Sequence, residues 1–355
     1  MRVVCRRGLL IGLMIVLLWV GMAPAHAAVR IASWNLKHLG WNNDKDLEAV
    51  AQVIQRFDLI ALQEVMKPAA AKALATRVSQ RSGEPWGVVV SHTLGDNRYK
   101  ESYAFLWRES AVTNDGGTTV YLDPGNHFAR EPLSSQFTVT VDGKPLRLAA
   151  ATVHILYGDS KRDRASEIRQ LDEYWRWLGQ TFEGKRILLG DFNMPPNDPS
   201  WETFDSMAQP ALTRGASTLG QTGYANLYDN IWTDGTLPIS ARGIGRFPTW
   251  LGLDHATARD RVSDHAPVYI VLDDDAVRTH RVPTREIETD PTACIDLNKA
   301  SVGALDRLAH VGPSRARDIV AGRPWRRIGD LTRVSGLSAA RVADIAGNGS
   351  VCPIR

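Results

Sequence analysis

The chain of 355 residues is 44% hydrophobic and 23% charged, which is ordinary for a soluble globular protein and leaves room for one large domain and a smaller one. The formal net charge of +3 equals the three Arg in the first 27 residues, so residues 28–355 are formally neutral. The sequence pI of 8.8 therefore gives no reason to expect a uniformly basic protein.

The N-terminal segment has the order of a secretory signal peptide. Arg residues near the start precede an apolar run over residues 9–20, and a small-residue stretch, Ala-His-Ala, ends at residue 27. A membrane anchor is the alternative, but the run is shorter than the roughly 20 residues that span a bilayer, and no later stretch is suitable. We expect cleavage near Ala28, a secreted or periplasmic bacterial protein, and no stable membrane association after cleavage.

Residues 28–275 combine many short strands with a few longer helices. Apolar runs predict strands over residues 30–34, 59–62, 87–91, 103–107, 137–141, 146–154, 187–189, 230–232 and 267–272. Asp142-Gly143 predicts a hairpin turn. Helical spacing relates Leu47, Val50 and Ile54, and likewise Ile168, Leu171, Trp175 and Leu178. This pattern predicts a layered α/β sandwich.

Five fragments place a polar or charged pair at what we expect to be the carboxyl edge of an apolar strand. The fragments are Ser33-Trp34-Asn35, Leu62-Gln63-Glu64, Thr152-Val153-His154, Gly190-Asp191-Phe192-Asn193 and Ser263-Asp264-His265. Ligand sites in open sheets favour the carboxyl ends of strands and the loops after them. A single histidine after a strand is more often structural, whereas five such fragments in one domain indicate a site.

The residue types in these fragments indicate phosphodiester hydrolysis. Glu64, with Asn35 and Asp264, offers the hard oxygen ligands that Mg²⁺ or Ca²⁺ prefers. Two histidines, His154 and His265, can transfer protons near neutral pH.

The GDFN fragment completes this chemistry. Asp191 and Asn193 can orient a water molecule and hold a phosphate oxygen. The set as a whole therefore predicts metal-assisted in-line attack of water on a phosphodiester.

Together these fragments resemble the endonuclease/exonuclease/phosphatase superfamily over residues 29–273. Three further stretches look most like pancreatic-type deoxyribonucleases: YKESYAFLWR at 99–108, AREP at 129–132 and YDNI at 228–231. The resemblance implies a four-layered α/β sandwich, with two packed mixed sheets flanked by helices. It also implies divalent-metal-dependent cleavage of DNA, with duplex and endonucleolytic action favoured. Exonucleolytic action and RNA as the substrate stay open as alternatives.

The resemblance assigns a role to each matching residue. Glu64 is the principal metal ligand, helped by Asn35 and Asp264, with Mg²⁺ as the expected ion and Mn²⁺ or Ca²⁺ as alternatives. His154 pairs with Glu101.

The other matching residues act on the second histidine and on the substrate. His265 pairs with Asp229, and Asp191 and Asn193 contact water and phosphate. Arg130 clamps a phosphate, and Tyr99 lies on the substrate side. Where pancreatic-type enzymes carry an Arg that enters the minor groove, this chain has Met66.

Residues 276–290 are polar and charged, which predicts a linker, and residues 291–355 form a separate basic tail. The tail holds ten Lys or Arg and five Asp, a formal charge of +5, so residues 28–290 sum to about −5. Cys294 and Cys352 lie near its two ends. In an exported protein they predict one disulfide, with two free thiols as the alternative.

Two similar units in the tail, 308–319 and 331–345, each predict a short helix, a tight turn and a second helix. They resemble the helix-hairpin-helix modules of bacterial DNA-uptake proteins, in which hairpin N–H groups meet a DNA phosphate. The resemblance carries this role to Gly312 and Gly336, although each hairpin keeps one of the two usual glycines. Five arginines add non-specific attraction to the DNA backbone: Arg315, Arg317, Arg326, Arg327 and Arg341. A packing or protein-contact role for the tail is the alternative, and the sequence identifies no protein partner.

Two other functions remain open from the sequence. The same fold can act on a phospholipid or a small phosphoester, and a DNA-binding or uptake protein can carry an inactive catalytic fold. The YKESY and AREP stretches favour DNA, and every predicted catalytic position is filled.

Overall fold

The structure is a computed structural model that describes residues 28–41, 44–95, 99–221, 223–273, 294–300, 302–305, 308–347, 351–352 and 354. The predicted signal peptide and the predicted linker over 276–290 lie outside the described residues. The strands are, in chain order, β1 (Val29–Leu39), β2 (Leu59–Val65), β3 (Trp86–Val90), β4 (Ser102–Arg108), β5 (Val112–Val120), β6 (Leu133–Val141), β7 (Lys144–His154), β8 (Lys185–Asp191), β9 (Gln209–Pro210), β10 (Asp229–Thr233), β11 (Ile239–Ile244) and β12 (Val268–Leu272).

The helices follow the strands in two regions of the chain. Those of the body are α1 (Leu47–Ile54), α2 (Pro68–Ser82), α3 (Lys161–Ile168), α4 (Leu171–Thr181), α5 (Glu202–Asp205), α6 (Phe247–Leu251) and α7 (His255–Arg261). Those of the tail are α8 (Val302–Leu305), α9 (Pro313–Ala321) and α10 (Ala339–Gly347). Short 3₁₀ helices cover Pro199–Trp201 and Ile328–Arg333. Within the described residues, no helix has the length and apolar character needed to cross a membrane.

Two six-stranded mixed sheets form the body, in the orders β11-β12-β1-β2-β4-β3 and β5-β6-β7-β8-β10-β9. They pack face to face, with β1 against β8. Residues on opposite faces of β8 enter different cores: Leu189 enters the core shared with the first sheet and α1, whereas Leu188 packs with Trp175 of α4. Each sheet is therefore covered on both faces, which explains why its central strands are nearly continuous apolar runs. The predicted four-layered sandwich is confirmed.

The predicted hairpin turn is confirmed, whereas one predicted helix is two helices in the structure. Asp142 and Gly143 both adopt positive φ, 49° and 70°, and join β6 to β7, as the sequence predicts. The spacing from Ile168 to Leu178 predicted one helix, but α3 ends at Ile168 and α4 begins at Leu171. The stripe is buried throughout, because both helices pack on the same core.

Three strands were missed. β5 carries Asn114, Asp115 and two glycines, β9 has two residues, and half of the residues of β11 are exposed. All three lie at sheet edges. An edge strand buries less of its surface, so it lacks the apolar run by which a central strand is recognised.

The tail folds around its own apolar core, which includes Leu308, Ile319, Leu331 and Ile345. The predicted disulfide is confirmed: Cys294 and Cys352 are bonded, with an S–S distance of 2.01 Å. Beside it, the Cys352 N–H donates to the carbonyl of Ile295 at 3.0 Å. The first helical piece of the second unit is a 3₁₀ helix rather than an α-helix.

Candidate active site

Three neighbouring strand ends bring the central residues of the site together. β7 runs parallel to β8, so His154 is the register partner of Asp191. β10 runs antiparallel on the other side of β8, and its first residue, Asp229, also pairs with Asp191. The register of the second sheet therefore places Asp191 between His154 and Asp229.

The first sheet contributes Asn35 and Glu64. The fragment 263–265 lies between α7 and the start of β12, so the prediction that it follows a strand is wrong, and His265 enters the site from the loop before β12. The parallel pairing of β1 and β2 sets Asn35 opposite Gln63, and an irregularity in both strands follows. Glu64 has φ of 56°, an uncommon conformation for a non-glycine residue, at a point where a bulge redirects a side chain. The Asn35 amide donates to Glu64 and to Asp191, each at 3.0 Å, and so connects the two sheets.

His154 is held by a buried carboxylate. Its Nδ1 lies 2.9 Å from Oε1 of Glu101, which is fully buried, and Arg130 contacts the same oxygen at 3.5 Å. Burial lowers the pKa of His154, but the charge and hydrogen bond of Glu101 together with the Asp191 charge outweigh it and raise the pKa above its usual value. The Arg130 guanidinium also donates to the backbone carbonyl of His154 at 2.8 Å.

His265 has an equivalent arrangement. Its Nδ1 lies 2.8 Å from Oδ2 of Asp229 and 3.6 Å from Oδ2 of Asp191. Ser217 donates to the same Asp229 oxygen at 2.6 Å. Burial would lower the pKa of His265, but Asp229 and Asp191 raise it well above its usual value. On the other side, Nε2 of His154 lies 3.7 Å from Asp191, so both imidazoles flank one carboxylate.

The GDFN fragment forms a tight corner after β8. Asn193 has φ of 49°, and its N–H donates to Oδ1 of Asp191 at 2.9 Å. Its side-chain amide donates to the carbonyl of Ile155, beyond the end of β7, at 2.8 Å. The polar residues at this buried strand tip are thus partnered, which offsets their cost of burial. They also fix Oδ2 of Asp191 between the two histidines.

The donor set fits a divalent cation. Burial would raise the pKa of Glu64, but the charge of His154 and the Asn35 hydrogen bond lower it to about 2, so the carboxylate is anionic at neutral pH. A second set of possible ligands, which does not include Glu64, consists of Asp191, Asp229 and His265, whose ligand atoms lie within 4.8 Å of one another. Oδ1 of Asp229 is buried and has no hydrogen-bond partner among the described residues. Hard oxygens of this kind suit Mg²⁺, Mn²⁺ or Ca²⁺.

The other two predicted metal ligands have protein partners. Asp264 contacts Arg259 at 3.3 Å. Oδ1 of Asn35 accepts the N–H of Lys37 at 2.9 Å, so the side chain presents its nitrogen to the carboxylates. The ligand roles of Asn35 and Asp264 stay predictions.

Tyr99 and Arg130, two of the predicted substrate residues, line a cavity of about 550 Å³ together with four of the catalytic candidates. The other two, Gly312 and Gly336, lie in the tail, and their substrate role stays a prediction. The Arg130 guanidinium lies 5.6 Å from the centroid of the Tyr99 ring. Burial and the nearby Glu64 charge raise the pKa of Tyr99, so its hydroxyl stays protonated. Tyr99 and Arg130 thus form one wall of the cavity.

Three residues of the site were missed from the sequence. The His38 N–H donates to Oε2 of Glu64 at 3.0 Å, and its ring nitrogen lies 3.3 Å from the same oxygen. Ser217 orients Asp229, and Glu167 of α3 accepts the N–H groups of Ala129 and Leu156. His38 follows Asn35 closely along the chain and could have been included. Ser217 and Glu167 carry no comparable signal, because their partners are distant in sequence.

The two tail hairpins are joined by arginine. Gly312 caps α9, and Gly336 has φ of 81°, whereas His310 adopts the positive φ of 61° in the first hairpin. Arg315 donates to the carbonyls of His310 at 3.0 Å and Ser335 at 3.2 Å, one in each hairpin. A Cβ at position 336 would lie 2.6 Å from the Arg315 guanidinium. At least one of the predicted backbone-attracting arginines therefore also has a structural role.

Two imidazoles flank one aspartate, and each is held by its own carboxylate at the strand ends of a two-sheet sandwich. Such an arrangement is suited to paired acid–base chemistry on a phosphodiester. The chain belongs to the Endonuclease/Exonuclease/phosphatase family, whose model matches residues 32–265. A helix-hairpin-helix motif matches residues 291–348.

Two deoxyribonucleases are similar to this chain, one along nearly its whole length and one over most of it. A deoxyribonuclease of Thioalkalivibrio sp. (strain K90mix) is 44% identical over 360 residues, covering 98% of each chain. Deoxyribonuclease-1 of Equus caballus is 29% identical, covering 71% of this chain and 95% of its own. A family protein from Leptotrichia buccalis has the same fold, with a TM-score of 0.50 at 17% identity, over 69% of this chain and 99% of that one.

Proposed function

We propose that the protein is an exported, divalent-metal-dependent endonuclease that hydrolyses phosphodiester bonds of DNA. The observation that carries the proposal is the position of Asp191 between His154 and His265, at 3.7 and 3.6 Å, with each imidazole bound to a second carboxylate. DNA as the substrate is supported by the relatives named deoxyribonucleases, one of which is similar along nearly the whole chain.

The two imidazoles supply the proton transfers of hydrolysis. One accepts a proton from water as the water oxygen bonds to phosphorus, and the other donates a proton to the leaving oxygen as its bond to phosphorus breaks. Glu101 and Asp229 orient the rings and stabilise their protonated forms. A divalent cation held by Glu64, with Asn35 and Asp264 as further candidates, would supply stabilisation of negative charge on the phosphate.

Two residues that line the cavity, Arg130 and Asn193, hold the substrate and the attacking water in position. Arg130 provides a cation beside the cavity, and Asn193 fixes the Asp191 carboxylate toward which a water can be oriented. The helix-hairpin-helix tail adds contacts to the DNA backbone.

Export is part of the proposal. The order of Arg, apolar run and Ala-His-Ala at the N-terminus supports it, and a disulfide suits an oxidising compartment. Mass spectrometry of the mature protein should find an N-terminus near Ala28, and an uncleaved chain would contradict this part.

A substrate panel tests the activity. Plasmid, linear duplex, single-stranded DNA, RNA and a small phosphomonoester are incubated with purified protein, with and without EDTA. We expect open-circular plasmid to appear first and EDTA to abolish the reaction. Hydrolysis of the phosphomonoester alone, or DNA cleavage that resists EDTA, would overturn the proposal.

A further inference from the structure

An aromatic cluster extends from the candidate active site to the protein surface. We name it the aromatic ledge, and it consists of Trp41, His38 and Tyr99. The rings of His38 and Trp41 are stacked, with centroids 4.2 Å apart and planes 17° apart. Tyr99 meets both rings edge-on, at 5.8 Å from His38 and 6.3 Å from Trp41.

The inner end of the ledge touches the reaction centre. The His38 ring lies 3.3 Å from Glu64, the principal metal-ligand candidate, and the His38 N–H donates to the same oxygen. His38 and Tyr99 line the cavity that also contains His154 and His265. A group that stacked on the outer ring would therefore lie next to a phosphate in the cavity.

The outer end of the ledge is the indole of Trp41, and its exposure is not explained by packing in the hydrophobic core. Trp41 is 48% exposed, whereas Trp34, Trp175, Trp201 and Trp232 are fully buried. Lys37 and His38 adopt positive φ, 43° and 61°, which is disfavoured for non-glycine residues. Disfavoured backbone of this kind concentrates at functional sites, where the surroundings impose it.

We propose that the aromatic ledge stacks an unpaired base of a single-stranded nucleic acid beside the phosphate to be cleaved. An exposed indole plane stacks on any base, because every base has a π face. In an intact duplex both faces of each base are already covered by its neighbours, so the ledge acts on single strands and unpaired ends. The proposal rests on the proposed nuclease function and adds single strands to its substrates.

Substitution of Trp41 tests the ledge. We expect Trp41→Ala to lower kcat/KM about 5- to 100-fold on a single-stranded oligothymidylate, with a much smaller loss on a hairpin duplex of equal length. Trp41→Phe keeps an aromatic plane and should retain most of the activity on single strands. Leu122→Ala is the matched control, because Leu122 is 88% exposed and lies outside the cavity lining. Equal losses on both substrates, or no loss on single strands, would overturn the proposal.

A binding measurement separates this proposal from the nuclease function. Phosphorothioate oligonucleotides resist hydrolysis, so their affinity can be measured with Mg²⁺ present. We expect the wild-type protein to bind a thymidylate strand more tightly than an abasic strand of equal length, and Trp41→Ala to remove the difference. If the wild-type protein does not distinguish the two strands, the ledge proposal is wrong even for an active nuclease. If it distinguishes them but cleaves no nucleic acid, the nuclease function is wrong and the stacking site stands.

Discussion

The candidate centre is arranged around the carboxylate of Asp191. One of its oxygens accepts the N–H of Asn193, and the other lies near Asn35, His154 and His265. A single buried carboxylate thus contacts residues from both sheets. Burial and these neighbours give Asp191 its role in the candidate centre, because an aspartate on a surface loop would be solvated by water instead.

Glu64 provides a test of metal use at the scale of one residue. Glu64→Gln replaces an anionic oxygen ligand with a neutral amide of nearly the same shape. We expect the Mg²⁺ concentration that gives half-maximal activity to rise on the order of 10-fold or more. Mg²⁺ titrations of kcat/KM measure this, with the exposed Glu202→Gln as the control. An unchanged titration curve would exclude Glu64 as a ligand.

Glu101 provides a test of the pH dependence. Its charge raises the pKa of His154 by stabilising the protonated ring, and the Arg130 charge acts in the opposite direction. Glu101→Gln removes the first effect and leaves the second, so protonation becomes harder and the pKa falls. The limb of the pH profile of kcat/KM that reports His154 should move to lower pH, by about one unit or more. A shift to higher pH, or none, would contradict the pairing.

Helix α3 shows how an element outside the cavity lining positions the site. Its Glu167 is buried, and its two oxygens accept the N–H groups of Ala129 at 3.0 Å and Leu156 at 2.7 Å. Ala129 directly precedes Arg130 in the chain, and Leu156 lies two residues after His154. One carboxylate therefore ties the phosphate-binding candidate to the end of β7.

The corresponding prediction concerns Glu167→Gln. Glutamine has one acceptor oxygen, so one of the two N–H groups faces an amide NH₂ instead. We expect the free energy of unfolding to fall by about 1–3 kcal/mol. KM should rise more than kcat falls, because substrate position is disturbed. Urea unfolding and steady-state kinetics measure both, with the exposed Glu173→Gln as the control. Unchanged kinetics in a destabilised protein would show that the tie is structural only.

The whole chain joins an acidic body to a basic tail. The body, at about −5, opposes the approach of a polyanion, and a tail of +5 offsets this repulsion and raises the local DNA concentration. The two parts have separate apolar cores, so a chain that ends near Asp275 should fold.

We expect the shortened chain to cut DNA with a lower kcat/KM than the full chain. The difference should be largest on long duplexes at low salt, and it should shrink as salt rises because phosphate contacts release counterions. The kcat/KM of each chain is measured on a long and a short duplex at low and at high salt, which gives four values per chain. If all four values match those of the full chain, the tail does not hold DNA for this enzyme.

The disulfide links the two ends of the tail across a sequence separation of 58 residues. In the chain-entropy model a loop of this length contributes roughly 4 kcal/mol to the stability of the closed fold. Reductant should therefore lower the unfolding temperature of the tail and leave cleavage by the shortened body unchanged. A Cys294→Ser/Cys352→Ser variant is the control and should not respond to reductant. A wild-type tail that is equally insensitive would contradict a stabilising bond.

The sequence by itself determined the layered α/β class, the central strands and the basic tail, and it nominated the candidate residues of the site. Central strands are buried on both faces, so their apolar runs are visible along the chain, and polar groups such as Asp191 and His154 stand out at their ends. The edge strands β5 and β11 were not visible, because partial exposure removes that pattern.

Only the tertiary structure decided which residues meet. Asp191 pairs in register with His154 and with Asp229, and Asn35 reaches it from the other sheet. Ser217, Glu167 and the stacking of Trp41 on His38 depend on contacts between distant segments or on loop conformation. Sequence periodicity reports how far each element is buried, whereas these contacts depend on strand register and on the packing of two sheets. That is the physical reason why the candidate residues could be chosen from the sequence and the geometry of their contacts could not.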